Sequence, residues 1–206
     1  MVAMTAAATL PTQYGDFYLQ SYLSADTNSL VAGAPILVLS KGLDTGLVPL
    51  IRIHSECITG DVFGSRRCDC GDQLQRSMAL ISEAGCGAVI YLRQEGRGIG
   101  IENKLKAYHL QEMGLDTVDA NVQLGLPVDA RDYTDAIDIM HQLGISECEL
   151  LTNNPQKVAA VSGSSIALNR VVALHVEPLH SSGAAYIKTK QERLGHTKFL
   201  EVTGLV

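Results

Sequence analysis

Cys57, Cys68 and Cys70 share one short polar run, Arg52-Ile-His-Ser-Glu-Cys-Ile-Thr-Gly-Asp-Val-Phe-Gly-Ser-Arg-Arg-Cys-Asp-Cys-Gly71. Three thiols with no fourth cysteine nearby form the donor set of an open zinc site. Structural zinc is usually closed by four protein ligands, whereas catalytic zinc keeps a position for water or substrate. Gly60 and Gly64 lie between the cysteines and let the backbone turn back, so that Cys57 can meet the other two. The competing reading, three buried or disulfide-bonded cysteines, is disfavoured by the Gly- and Arg-rich character of the run. His54 stands close enough in sequence to serve as a fourth ligand, to order the loop or to polarise a substrate.

Basic residues gather around this run and the later motifs: Arg52, Arg66, Arg67, Arg93, Arg97, Arg131 and Lys157. The chain as a whole carries a net charge of −6, which argues against non-specific binding to nucleic acid or anionic lipid. Cations concentrated locally in an acidic chain point instead to a pocket for a small polyanion.

These residues need elements to position them. Residues 36–39 and 48–53 are β-branched and apolar and read as strands, as does 86–92. Helical periodicity covers 71–85, with Leu74, Met78 and Ile81 on one face and Gly85 as the stop. A second helix is expected over 99–113, with Ile101, Leu105 and Tyr108 on its apolar face. Shorter helices are expected over 117–124 and 133–143. A strand at 149–151 delivers Thr152-Asn-Asn-Pro155, and Pro155 opens a helix to about residue 161. Residues 162–165 read as a turn, and 185–194 as a last helix. The fold class is α/β with α+β character: one compact domain of 206 residues, a mixed sheet surrounded by helices and a catalytic zinc site. Residues 1–10 are expected to lack ordered structure, 11–198 to form the domain and 199–206 to form a tail. Cys86 and Cys148 read as small buried hydrophobes. The first ten residues have no basic n-region of a secretory signal, and no stretch reaches the ~20 apolar residues that span a bilayer, so a cytoplasmic protein is expected.

Five blocks occur in order: residues 52–61, Arg67-Cys-Asp-Cys-Gly71, Tyr91-Leu-Arg-Gln-Glu-Gly-Arg-Gly-Ile-Gly100, Pro127-Val-Asp-Ala-Arg-Asp-Tyr133 and Leu151-Thr-Asn-Asn-Pro155. Together they closely resemble GTP cyclohydrolase II, the enzyme that opens the guanine ring of GTP at the start of riboflavin synthesis. The likeness runs from about Leu10 to about His196. It implies conversion of GTP and water to formate, diphosphate and a 2,5-diamino-6-ribosylamino-pyrimidinone 5′-phosphate, with zinc and magnesium as cofactors and a homodimer as the working unit. It also implies roles for individual residues. Cys57, Cys68 and Cys70 match the zinc ligands. Arg52, Ile53, His54, Ser55, Glu56, Gln73, Glu95, Gly96, Arg97, Thr117, Thr152 and Lys157 match GTP-contacting positions. Asp129 and Arg131 match the proton acceptor and the nucleophile, and Tyr108 matches a tyrosine associated with complete deformylation.

The chemistry can be set beside those roles. Loss of C8 as formate needs water to attack an aromatic carbon, for which a zinc-activated water is suited. Three thiolates leave the zinc with a net charge of −1, and Arg66 and Arg67 would offset it if they point inward. Tyr108 either orients the water and the opening ring or is a core aromatic at helical spacing. Arg131 as a covalent nucleophile is chemically demanding, because a guanidinium is almost always protonated. The alternative is that Arg131 stabilises charge on the phosphate, with Asp129 acting as its partner. The glycine-rich turn at 95–100 and the junction carrying Thr152 and Lys157 each place a helix N-terminus where phosphate can bind. The Glu95 carboxylate is expected to read the N1–H and exocyclic amine of guanine and so exclude ATP. A nucleobase deaminase is disfavoured, because Cys68-Asp-Cys70 lacks its P-C-x-x-C spacing. A formyl-retaining cyclohydrolase and a non-catalytic zinc-bearing nucleotide-binding protein are the remaining alternatives. The expectation for the chain is a monofunctional enzyme without a fused dihydroxybutanone-phosphate synthase domain.

Overall fold

The computed structural model describes residues 2–24 and 34–174. Seven strands form one sheet in the order β1-β2-β3-β5-β4-β6-β7. They are β1 (Val2–Thr12), β2 (Gly15–Ser24), β3 (Ile36–Lys41), β4 (Leu50–Ser55), β5 (Gly87–Leu92), β6 (Glu147–Leu151) and β7 (Ala167–Val172). From β1 to β5 neighbouring strands run antiparallel, whereas β5, β4, β6 and β7 are mutually parallel. The mixed sheet expected from the sequence is therefore present.

The centre of the sheet, β4 and β5, is buried on both faces. The first five residues of β4, Leu-Ile-Arg-Ile-His, are all inaccessible, as is most of β5. Such strands read as near-continuous apolar runs because helices cover both sides. Helix α2 (Cys70–Ala84) lies on one face, packing Ile81 and the half-buried Leu74 and Met78 around Leu50 and Val89. On the other face α5 (Thr134–Gln142) and α6 (Pro155–Ser162) pack Ala136, Ile139, Met140 and Val161 against Ile51, Ile53 and Ile90. Gly85 ends α2 in the left-handed conformation, as its sequence position predicts. Three more helices, α1 (Ile58–Asp61), α3 (Gly100–Glu112) and α4 (Thr117–Gln123), lie in the connections that leave the C-terminal ends of β4 and β5.

Two expectations change. Residues 1–10 were expected to be unstructured, yet Val2–Thr12 is an 11-residue strand paired along its length with β2. Its alanine-rich sequence has weak strand propensity and its residues 3–11 are exposed, so backbone pairing to β2 holds it rather than burial. On α3, Ile101 and Leu105 are 41% and 54% exposed, while Lys104 and Ala107 are buried. The helix is turned about its axis because the Lys104 ammonium finds three acceptors inside, described below. The expected helix at 185–194 and the tail at 199–206 lie outside the described residues.

Candidate active site and metal centre

All functional loops leave the C-terminal ends of parallel strands, where open α/β sheets place their ligands. The loop after β4 carries Cys57, which caps α1. Its carbonyl accepts from Gly60 N at 2.9 Å and Asp61 N at 2.7 Å. Cys70 opens α2, and Cys68 lies just before it. The three sulfurs come within 4.8 Å of one another, with Cys57 and Cys68 3.6 Å apart, and all five cysteines of the chain are free thiols. Gly60 makes the approach possible, because a Cβ there would lie 2.9 Å from the Cys68 sulfur. Hydrogen bonds from Cys68 and Cys70, with help from Lys104, draw the Cys57 thiol down. The Cys68 thiol is pushed up by the sulfur beside it. Three converging sulfurs with no carboxylate or imidazole among them are a zinc-type donor set.

Behind the cysteines stands a buried network. Asp61 accepts from Cys57 N at 2.9 Å, from the Tyr91 hydroxyl at 2.8 Å and from His54 Nε2 at 3.2 Å. His54 and Tyr91 are register neighbours on β4 and β5 and stack with ring centroids 5.4 Å apart. Burial lowers the His54 pKa and raises that of Tyr91, so the imidazole is neutral and the phenol keeps its proton. Nε2–H then donates to Asp61, and Nδ1 faces an Arg52 Nη at 3.5 Å. His54 thus turns its two ring nitrogens to Asp61 and Arg52 and links the cysteine loop to β4. Lys104 reaches in from α3 and donates to the Cys57 sulfur at 3.1 Å, to Thr59 at 2.9 Å and to Glu95 at 2.8 Å.

The other end of the same cleft is cationic. Arg131 forms a bidentate pair with Asp129, Nε to Oδ1 at 2.8 Å and Nη2 to Oδ2 at 2.5 Å. Burial works to raise the Asp129 pKa, but the Arg131 hydrogen bonds outweigh it and hold the carboxyl below the usual range. A backbone bond from Ala130 N to Arg97 O, 3.0 Å, ties this pair to the glycine-rich turn. Arg97 itself adopts φ +62°, a left-handed conformation unusual for a side-chain-bearing residue. Asn154 caps α6 by accepting from Gln156 N at 2.8 Å, and Lys157 in its first turn donates to Ile53 O at 2.7 Å. The cleft joining the two ends encloses about 1030 Å³, open solvent at its mouth included.

A model of the GTP cyclohydrolase II family matches residues 3–173. The chain belongs to that family. Riboflavin biosynthesis protein RibBA of Bacillus cereus is 46% identical over 196 residues, covering 95% of this chain and 48% of that protein. RibBA of Salinispora tropica is 48% identical over 200 residues with the same coverage. The chain thus spans about half the length of these curated relatives. Among solved structures, RibBX from A. baumannii, a two domain 3,4-dihydroxy-2-butanone 4-phosphate synthase, aligns at a TM-score of 0.46 and 20% identity over 84% of this chain and 40% of that one.

Most residues picked out by the family resemblance do converge. Arg52, His54, Ser55, Glu56, Cys57, Cys70, Gln73, Glu95, Gly96, Arg97, Tyr108, Arg131, Thr152 and Lys157 line the cleft. Cys68 and Asp129 stand behind this wall, each in contact with a residue that forms it. Ile53 is fully buried and contributes its carbonyl to Lys157. Thr117 is the first residue of α4. Glu95 is the exception in role. Its Oε2 accepts from Ile58 N at 2.7 Å, and its Oε1 from Gly96 N and Lys104, each at 2.8 Å. That carboxylate braces the cysteine loop, a set of contacts that its expected reading of a guanine edge did not include. Arg66 is exposed, and Arg67 stacks on Tyr108 at 4.8 Å while pairing with Glu112. The sequence reading missed Lys104, Asp61 and Asn154. Lys104 had a signal: with Ala107, Tyr108 and Gln111 it repeats at i, i+3, i+4 and i+7, the face of α3 that lines the cleft.

Proposed function

We propose that the protein hydrolyses GTP. In this reading it opens the guanine imidazole ring to release formate and diphosphate and leaves 2,5-diamino-6-ribosylamino-4(3H)-pyrimidinone 5′-phosphate, the first step of riboflavin biosynthesis. What carries the reading is one cleft with a three-thiol cluster at one end and Arg131 and Lys157 at the other, so that base and phosphates of one nucleotide face different chemistry. Cys57, Cys68 and Cys70 would hold one zinc ion per chain and leave it open to water, and magnesium would accompany the triphosphate. When bound, zinc supplies Lewis acidity for the attack on C8. Tyr108, presented to the cleft with Arg67 stacked on it, orients the reacting ring.

At the phosphate end the pairing favours one of the two roles open to Arg131. Asp129 is held ionised and is a weak proton acceptor, so Arg131 keeps its charge and stabilises the phosphate while water attacks. Arg52, Gln73, Thr152 and Lys157 complete the GTP-contacting wall, with the α6 N-terminus favouring an anion. No helix among the described residues is long and apolar enough to cross a membrane. The proposed working unit is a cytoplasmic homodimer, for which the exposed Val62, Phe63 and Met113 offer apolar surface. The test is to incubate the purified protein with GTP, zinc and magnesium and to follow formate and diphosphate separately. Equal amounts are expected. Diphosphate without formate would replace the reading with a formyl-retaining reaction, and neither product would remove it.

A further inference from the structure

Lys104 is a buried cation whose three N–H donors are all used, and one of its acceptors is a sulfur of the thiol cluster. The Cys57 sulfur, Thr59 Oγ1 and Glu95 Oε1 stand 3.1, 2.9 and 2.8 Å from its Nζ. An ammonium has no further donors to give. A buried Lys–Glu pair alone would be a packing device, but here the pair brackets a single peptide junction. Lys104 holds the Cys57 side chain while Glu95 holds the next amide, Ile58 N, at 2.7 Å. The path of the lysine stem is kept clear by Gly96. A Cβ there would meet the Lys104 Cβ at 3.2 Å and Ile99 at 3.1 Å. The glycine-rich turn thus serves the metal end of the cleft as well as the phosphate end.

Resting on the reading of the cysteines as a zinc centre, we propose that Lys104 is a positioning residue for that centre. Its ammonium ties the Cys57 thiolate to Glu95 and Thr59, fixes the direction of that sulfur and draws electron density off one of the three thiolates. The Cys57 sulfur is thereby set apart from a bare thiolate ligand, because it accepts from the buried Lys104 ammonium. Lys104 does this from α3, through the one sulfur it reaches.

The test uses the whole chain with cobalt(II) in place of zinc. A hydrogen bond from a cation lowers the sulfur lone pair in energy, so removing it moves the sulfur-to-cobalt charge-transfer band to longer wavelength. Lys104→Met is expected to shift the band to the red and to weaken zinc binding ~10–100-fold in chelator competition, as losses behind a metal ligand do. Lys104→Gln, which keeps a neutral donor, should fall between Met and wild type, and it decides the matter if the Met variant does not fold. A band unchanged in the folded variants would overturn the role of Lys104. Wild-type protein that shows no thiolate-to-cobalt band at all would instead overturn the zinc reading on which it rests.

Discussion

The two ends of the cleft are built by opposite means. At the cysteine end, local bonds shape the loop, but the contacts that fix it in place join residues far apart in sequence: Lys104 to Cys57, Glu95 to Ile58 N, Tyr91 to Asp61. These groups are buried, and they satisfy one another completely. At the proposed phosphate end, long-range bonds from Lys157 to Ile53 O and from Ala130 N to Arg97 O anchor the segments, but the pairing and capping contacts are local. Asp129 pairs with Arg131, Asn154 caps Gln156 N, and Thr152 accepts from Asn154 N, each across two positions. The difference follows from what each end must do. A metal centre needs sulfurs fixed to a fraction of an ångström, which only packed long-range contacts supply. A phosphate site needs charge and N–H groups at a helix start, which a turn of chain provides by itself.

Breaking each end in turn tests that contrast, and the largest effect is expected at the cysteines. Cys68→Ser should abolish zinc binding and formate release together, as measured by metal analysis and formate assay, with the far-ultraviolet circular dichroism of the sheet retained. Next comes Arg131→Ala, expected to slow diphosphate release ~100–1000-fold, the cost of deleting a charge-stabilising donor. Zinc content should be unchanged, because the bidentate partner of Arg131 is Asp129, which lies outside the cysteine cluster. Glu95→Gln sharpens the comparison from the middle of the cleft. It should weaken zinc binding ~10–100-fold while leaving the preference for GTP over ATP intact, since its carboxylate serves the cysteine loop.

The smallest effect is acid sensitivity. His54 has a depressed pKa, so its contribution to stability is full above its ordinary 6.5 and is lost as pH falls through the lower folded value. Asp129 is also depressed, so its contribution is full above 3.8 and lost only as pH falls through a still lower value. The cysteine end should therefore loosen first on acidification. The imidazole proton shifts of His54, followed by NMR beside amide exchange at Ala130, would show the order.

The same contrast explains what the sequence made legible. The local signals were readable: the cysteine spacing, Gly85 as a stop, Pro155 at a helix start, and the Asp129–Arg131 pair once the family blocks were aligned. Lys104 was not picked out, because its acceptors on Cys57 and Thr59 lie more than forty positions away, and two apolar neighbours, Ile101 and Leu105, suggested a different buried face. Asp61 looked like one more polar loop residue until β5 brought Tyr91 beside it. Strand β1 carries no alternation to read, since its pairing to β2 uses backbone groups that every residue has. Glu95 lines the cleft, but its bonds from Ile58 N, Gly96 N and Lys104 were not legible, because a sequence shows a carboxylate and not its donors.

One three-cysteine metal centre is proposed to drive ring opening in this cleft. The most direct measurement is to strip the protein of metal, return zinc in steps, and record bound zinc and formate released from GTP in the same samples. Formate release should rise in proportion to bound zinc and level off at one ion per chain. Full formate release without zinc, or one zinc bound with no formate, would contradict the account.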